Sequence, residues 1–136
     1  DAFKKILYDS PDLDKQIKEL KRLLKPTGTL IIAVPNFKSF DAKHYGKYWA
    51  AYDVPRHLYH FSPQSMENLL AQHGLKLVSI KPMWFDSFYV SMLSEQYKNG
   101  KGNILKAVLN GFRSNIKAWG DTRKCSSVIY VIGKNN

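Results

Sequence analysis

Apolar positions change their spacing along the chain, and each change marks an element. Leu13, Ile17, Leu20 and Leu24 recur at spacings of four, three and four, which predicts one apolar stripe on a helix. Ser10 suits its cap, Pro11 its first position, Asp12 and Asp14 its positive end, and Lys21, Arg22 and Lys25 its negative end. The pattern then becomes a run. Leu30, Ile31, Ile32, Ala33 and Val34, set between Pro26-Thr27-Gly28 and Pro35-Asn36, predict a strand over 29–34 buried on both faces. Ser62-Pro63 repeats the cap-and-proline start, and Met66, Leu69 and Leu70 form the stripe of a helix ending at His73-Gly74. Leu75, Leu77, Val78 and Ile80 predict a strand over 75–81 closed by Pro82, and Val128 to Ile132 predict a last strand over 127–133, apolar on both faces. Helix followed by strand, twice, is the alternation of an α/β sheet.

Two stretches fall outside that alternation. Pro35 to Phe61 shows no sustained period and reads as a loop of about 27 residues, a length that in compact domains goes with function or disorder. Its aromatic content, including Phe37, Phe40, Tyr45, Tyr48, Trp49, Tyr52, Tyr59 and Phe61, argues for order. Further on, Phe85, Phe88, Tyr89, Met92, Leu93 and Gln96 lie three or four apart, and core packing is the expectation for that stripe. After the Gly100–Gly102 break, Ile104, Leu105, Val108, Leu109, Phe112, Ile116 and Trp119 form another amphipathic helix with Lys101, Lys106, Arg113 and Lys117 mostly outside the stripe. A solvated basic face is expected there, with a partner or membrane surface as the other reading.

Composition sets outer bounds. The 136 residues suit one domain with one core, and no internal repeat or second boundary is visible. A net charge of +10, from 21 basic and 11 acidic residues, brings nucleic acid or an anionic membrane into question. The basic residues are spread over nearly every segment, which disfavours a nucleic-acid module. Cys125, the single cysteine, excludes an internal disulfide framework, and a reducing, cytoplasmic setting is expected. No run approaches the roughly 18 apolar residues of a membrane span. The opening Asp1-Ala2-Phe3-Lys4-Lys5-Ile6 lacks the apolar core of a signal peptide, and with no initiator Met a fragment of a longer domain is the expectation.

Candidate chemistry gathers in Trp49 to Ser62. Asp53, Arg56, His57 and His60 set an acid, a fixed cation and two imidazoles within eight residues, just before a helix start. Imidazole titrates near neutrality, so His57 and His60 are the candidates to take a proton from an acceptor group. The plainer reading is that the Asp–Arg pair pins the loop and a histidine caps the helix. Pro55 stiffens the segment under either reading. Asn36, past the first strand, offers an amide that both donates and accepts. The chain has no G-x-G-x-x-G, Walker loop, H-E-x-x-H, C-x-x-C or G-x-S-x-G. His57 and His60 lack an evident third metal ligand, so no metal is expected.

Residues 20–36 (LKRLLKPTGTLIIAVPN), 48–63 (YWAAYDVPRHLYHFSP) and 73–75 (HGL) closely resemble the carboxyl-terminal half of class I S-adenosylmethionine-dependent methyltransferases, above all the bacterial small-molecule group with a D-x-P-R-H-x-x-x-F-S loop. The resemblance implies an α/β fold, the C-terminal part of a Rossmann-like sheet: strand 29–34 fifth of seven, strand 75–81 sixth, and strand 127–133 an antiparallel seventh between them. It implies S-adenosylmethionine as cofactor and a small-molecule methyl acceptor. By resemblance Asn36, Trp49, Asp53, Arg56, His57 and His60 face the substrate. Those enzymes hold the cofactor with a glycine-rich loop, an acidic strand end and residues after the fourth strand, none of which this chain matches. The expectation is therefore an acceptor-side half, inactive alone, with an open edge on strand 29–34 suited to self-pairing. The rival reading is a noncatalytic basic module for nucleic acid or a protein partner.

Overall fold

The computed structural model describes residues 12–53, 57–100 and 102–134. Helix α1 spans Leu13–Leu23 and buries Ile17 and Leu20, the centre of the expected stripe. Asp12 caps it, its carboxylate accepting from the Lys15 amide; Ser10 and Pro11 lie outside the described residues. After the turn at Gly28 comes strand β1, Leu30–Pro35. Helix α2 (Phe40–Tyr45) and single 3-10 turns at Gly46–Tyr48 and Ala50–Tyr52 follow. Then come α3 (Pro63–Gln72), β2 (Leu75–Pro82), α4 (Asp86–Asn99), α5 (Ile104–Ala118), a 3-10 turn at Thr122–Lys124 and β3 (Ser127–Lys134).

The sheet order is β1-β3-β2, with β3 antiparallel to both neighbours, as the resemblance implies. Leu30 stands opposite Ile132, Ile32 opposite Tyr130 and Val34 opposite Val128, so one face of the central pair is continuously apolar. Ile17, Leu20, Met66 and Leu70 from α1 and α3 close over it. Strict alternation on β2 would put Leu75 and Leu77 on that face and Ile80 on the other. A register shift between Leu77 and Ser79 inserts one residue, Val78, which is turned outward; Leu77 then meets Ile132 and Ile80 meets Tyr130.

Burial on both faces of β1 does not hold among the described residues, because Ile31 is 60% exposed. Ile31, Ala33, Ile129 and Val131 form a second apolar face, and α1 and α3 cover only the first. The other edge of β1 pairs with no described strand.

The 35–61 stretch is not a plain loop, since it contains α2. Six residues make less than two helical turns, too short to print a period on the sequence. Its start is nonetheless conventional: buried Ser39 accepts from the Ala42 amide. A second, smaller core forms here from Ala42, Tyr45, Trp49, Ala50, Ala51 and Val90.

The stripe Phe85 to Gln96 departs furthest from its expectation of core packing. Phe85, Tyr89 and Met92 are exposed, whereas Ser87, Val90, Ser91, Ser94 and Glu95 are the buried residues of α4. Helix α5 is inverted in the same sense. Ala107, Asn110, Gly111, Ser114 and Ala118 are buried, and its large apolar residues face outward rather than leaving a merely basic solvated face.

Candidate active site

The site begins where β1 ends. Asn36 is buried, its backbone N–H donates to the Ser126 carbonyl at 2.7 Å, and its side-chain amide donates to the carbonyls of Arg123 (2.8 Å) and Cys125 (3.0 Å). Its Oδ1 accepts from the Lys38 amide at 3.0 Å. Asn36 also forms a parallel bridge with Phe61, and the Phe37 amide donates to the Phe61 carbonyl at 3.2 Å. Both ends of the 36–61 excursion are thus fastened at the tip of β1. The histidine segment is brought back to the carboxyl end of the strand, the usual ligand side of an open α/β sheet.

Between those ends the chain is held by a buried carboxylate. Asp41, fully buried, accepts from Trp49 Nε1 (2.9 Å), Ser114 Oγ (2.9 Å) and Ser126 Oγ (2.6 Å). One side chain therefore ties α2, the aromatic turn, α5 and the approach to β3. A second cluster lies beside it: Asn110 Nδ2 donates to Tyr45 Oη (2.9 Å), Tyr45 donates to Glu95 Oε1 (3.1 Å), and Asn99 donates to Glu95 Oε2 (2.7 Å). Burial, reinforced by the Glu95 carboxylate and opposed by the Asn110 donor, pushes the Tyr45 phenol up to about 12, so it stays protonated and can donate. Sequence reading found neither hub. Apart from Trp49, eight residues from Asp41, their partners lie 73 and 85 residues from Asp41 and 50 and 65 from Tyr45, and Asp41 in the first turn of a Ser-capped helix is the local hint.

The six residues expected at the site separate into two groups. Asn36 and Trp49 are buried and have their polar atoms committed to the protein itself. Asp53, His57 and His60 are partly exposed and lie together on the return path; Arg56 lies outside the described residues. Asp53 has a positive φ of 42°, an unusual backbone state for a residue with a Cβ, and its carbonyl accepts from the His57 amide at 3.0 Å. The His57 ring points its Nε2 at the Asp53 carboxylate, 3.7 Å away, and its Nδ1 at the Ala51 carbonyl, 3.4 Å away. His60 Nε2 lies 3.0 Å from the Tyr52 carbonyl. A carbonyl only accepts, so Nε2 of His60 carries the proton, and in the neutral ring Nδ1 is left with its lone pair. Edge-on ring contacts run from Trp49 to Tyr52 and from Tyr52 to His60, coupling this imidazole to the buried aromatic turn.

S-adenosylmethionine does not fit these residues taken alone. No described strand runs into closely spaced glycines: β1 leads into Pro35-Asn36 and β2 into Met83-Trp84. The polar side chain just past β1, Asn36, is already satisfied by backbone partners. No group of three or more metal-ligating side chains occurs among the described residues. Burial pushes the Cys125 thiol up to about 11, which keeps it protonated and poorly nucleophilic.

None of the curated proteins compared with the chain matches it. Comparison with protein families matches residues 5–80, more than half of the 136, to a family described as "Methyltransferase domain". That span takes in α1, β1, the excursion at the tip of β1, α3 and most of β2. With that match and the β1-β3-β2 arrangement, the chain belongs to the methyltransferase domain family.

Proposed function

We propose that the chain is the acceptor-side half of an S-adenosylmethionine-dependent methyltransferase acting on a small molecule. The observation that carries this reading is the return of the 57–61 segment to the tip of β1 through the Asn36–Phe61 bridge, within a family whose activity is methyl transfer. In the whole enzyme the sulfonium cofactor would supply an activated methyl group, and the residues of this chain would align the acceptor rather than form a covalent intermediate. Cofactor contacts would come from strands beyond β1, whose outer edge pairs with no described strand and suits a continuing sheet. Pairing of two copies across that edge is the alternative way to satisfy it.

Within this reading His60 and His57 are the proton acceptors, with Nδ1 of His60 the available basic atom. Asp53 and Arg56 bind the polar part of the acceptor. Asn36 and Trp49 serve the acceptor by fixing the wall behind it. The test is calorimetric titration of the 136-residue chain with S-adenosylmethionine. No binding in the micromolar range is expected, whereas a micromolar dissociation constant would overturn the assignment of the chain to the acceptor side alone.

A further inference from the structure

Among the described residues a run of large apolar side chains lies outside the core. On α5, Ile104, Leu105, Val108, Leu109, Phe112 and Ile116 are all exposed, with Leu105 at 72%, and Trp119 just beyond is 83% exposed. At about 100° per residue these positions share an arc of roughly 140°, so they form one continuous stripe rather than scattered exposures. Phe85, at 89%, and the exposed Tyr89 and Met92 of α4 add to the same hairpin.

What the two helices bury against each other is small and polar. Ser87, Ser91 and Ser94 are buried on α4 and Ala107, Gly111 and Ser114 on α5, and across the pair Ser87 Oγ lies 3.4 Å from the Gly111 carbonyl and donates to Asn115 Oδ1 at 2.9 Å. A Cβ on Gly111 would stand 2.6 Å from Phe88 Cδ1 and 3.0 Å from Phe88 Cα, so the helices touch nearly backbone to backbone. Close packing through small residues with the large apolar ones turned outward is how helices pair when their surroundings are hydrocarbon.

Charge says which apolar surroundings. Helix α5 carries Lys106, Arg113 and Lys117 and no acidic residue. By the same angular spacing these three fall along one flank of the stripe. Lys98, Lys106, Arg113 and His44 line a cleft of about 310 Å³ whose rim includes Leu109 of the stripe. The cleft's carboxylate, Glu95, is engaged by Tyr45 and Asn99. A basic cleft opening beside an apolar stripe matches the phosphate level and the acyl boundary of an anionic bilayer. No described helix is long and apolar enough to cross a membrane, and α5, at 15 residues, is about 22 Å long, shorter than the roughly 30 Å hydrocarbon core.

We propose that the α4–α5 hairpin is an interfacial docking surface for anionic phospholipid membranes, with the α5 stripe in the acyl boundary and Lys98, Lys106 and Arg113 at the headgroup phosphates. The test is flotation of the full chain with vesicles of mixed phosphatidylglycerol and phosphatidylcholine, against phosphatidylcholine alone. Binding to the anionic vesicles is expected, weaker by at least about tenfold on the neutral ones. Tryptophan emission should shift to the blue on binding, and Trp119→Phe should remove most of that shift. The pair Leu105→Ser with Phe112→Ser should lower binding by about tenfold or more at an unchanged melting temperature. The pair Lys106→Glu with Arg113→Glu should abolish the preference for anionic vesicles. No flotation with anionic vesicles, or flotation undiminished by both pairs, overturns the proposal. Self-association that the serine pair dissolves, with vesicles left unbound, overturns it in favour of a second copy of the chain.

Discussion

The sheet and the helical hairpin are built by opposite rules within one chain. On one face of β1, β3 and β2 large apolar side chains such as Leu30, Ile32, Val34 and Tyr130 pack with α1 and α3, and Val128, Ile132 and Met66 are completely buried. In the α4–α5 pair serine, alanine, glycine and asparagine face inward and leucine, phenylalanine and tryptophan face out. The first region derives its stability from removing hydrocarbon from water. The second derives it from close backbone approach and from hydrogen bonds such as the one Ser87 Oγ donates to Asn115 Oδ1, 2.9 Å apart. Hydrophobic periodicity therefore identifies helices in both regions but identifies the buried face only in the first.

Stability measurements can break that contrast, and the seam between the regions should respond most. Asp41→Ala removes the acceptor of three hydrogen bonds and strands a buried indole N–H and two buried hydroxyls. A loss of about 4 kcal/mol is expected in denaturant titration, with the slope unchanged. Gly111→Ala should cost about 2 kcal/mol, because the new methyl meets Phe88 backbone as well as ring and the helices must part, despite alanine's better helix propensity. Leu105→Ser should change stability by less than about 0.5 kcal/mol, where a buried leucine-to-small change costs about 2–5 kcal/mol. A loss above about 2 kcal/mol at Leu105 would mean that the stripe is covered within the protein, and the contrast would fail.

How much was legible follows from how local each signal is. Ser62-Pro63 announced α3 because its capping box is contained in four residues: Ser65 N donates to Ser62 Oγ at 3.2 Å and Ser62 N to Ser65 Oγ at 2.7 Å. The run Leu30 to Val34 announced β1 because a dense apolar, β-branched run bounded by turn residues has few other readings. The family pattern supplied the order of the strands, which no periodicity contains. By contrast, α2 was too short to show a period, and the burial of Asp41 depends on serines far along the chain. The stripes of α4 and α5 misled for a physical reason: periodicity reports that a helix has two unlike faces, not which of them the protein keeps for itself.

The double anchorage of Asn36 has a mechanical consequence. Its amide reaches carbonyls 87 and 89 residues away, so the end of β1 and the approach to β3 behave as one rigid piece. Under the proposed function, an acceptor at the strand tip would meet a wall fixed by these bonds on that side. On that reading the histidine-bearing side is where adjustment to different acceptors would fall, while the wall keeps its shape.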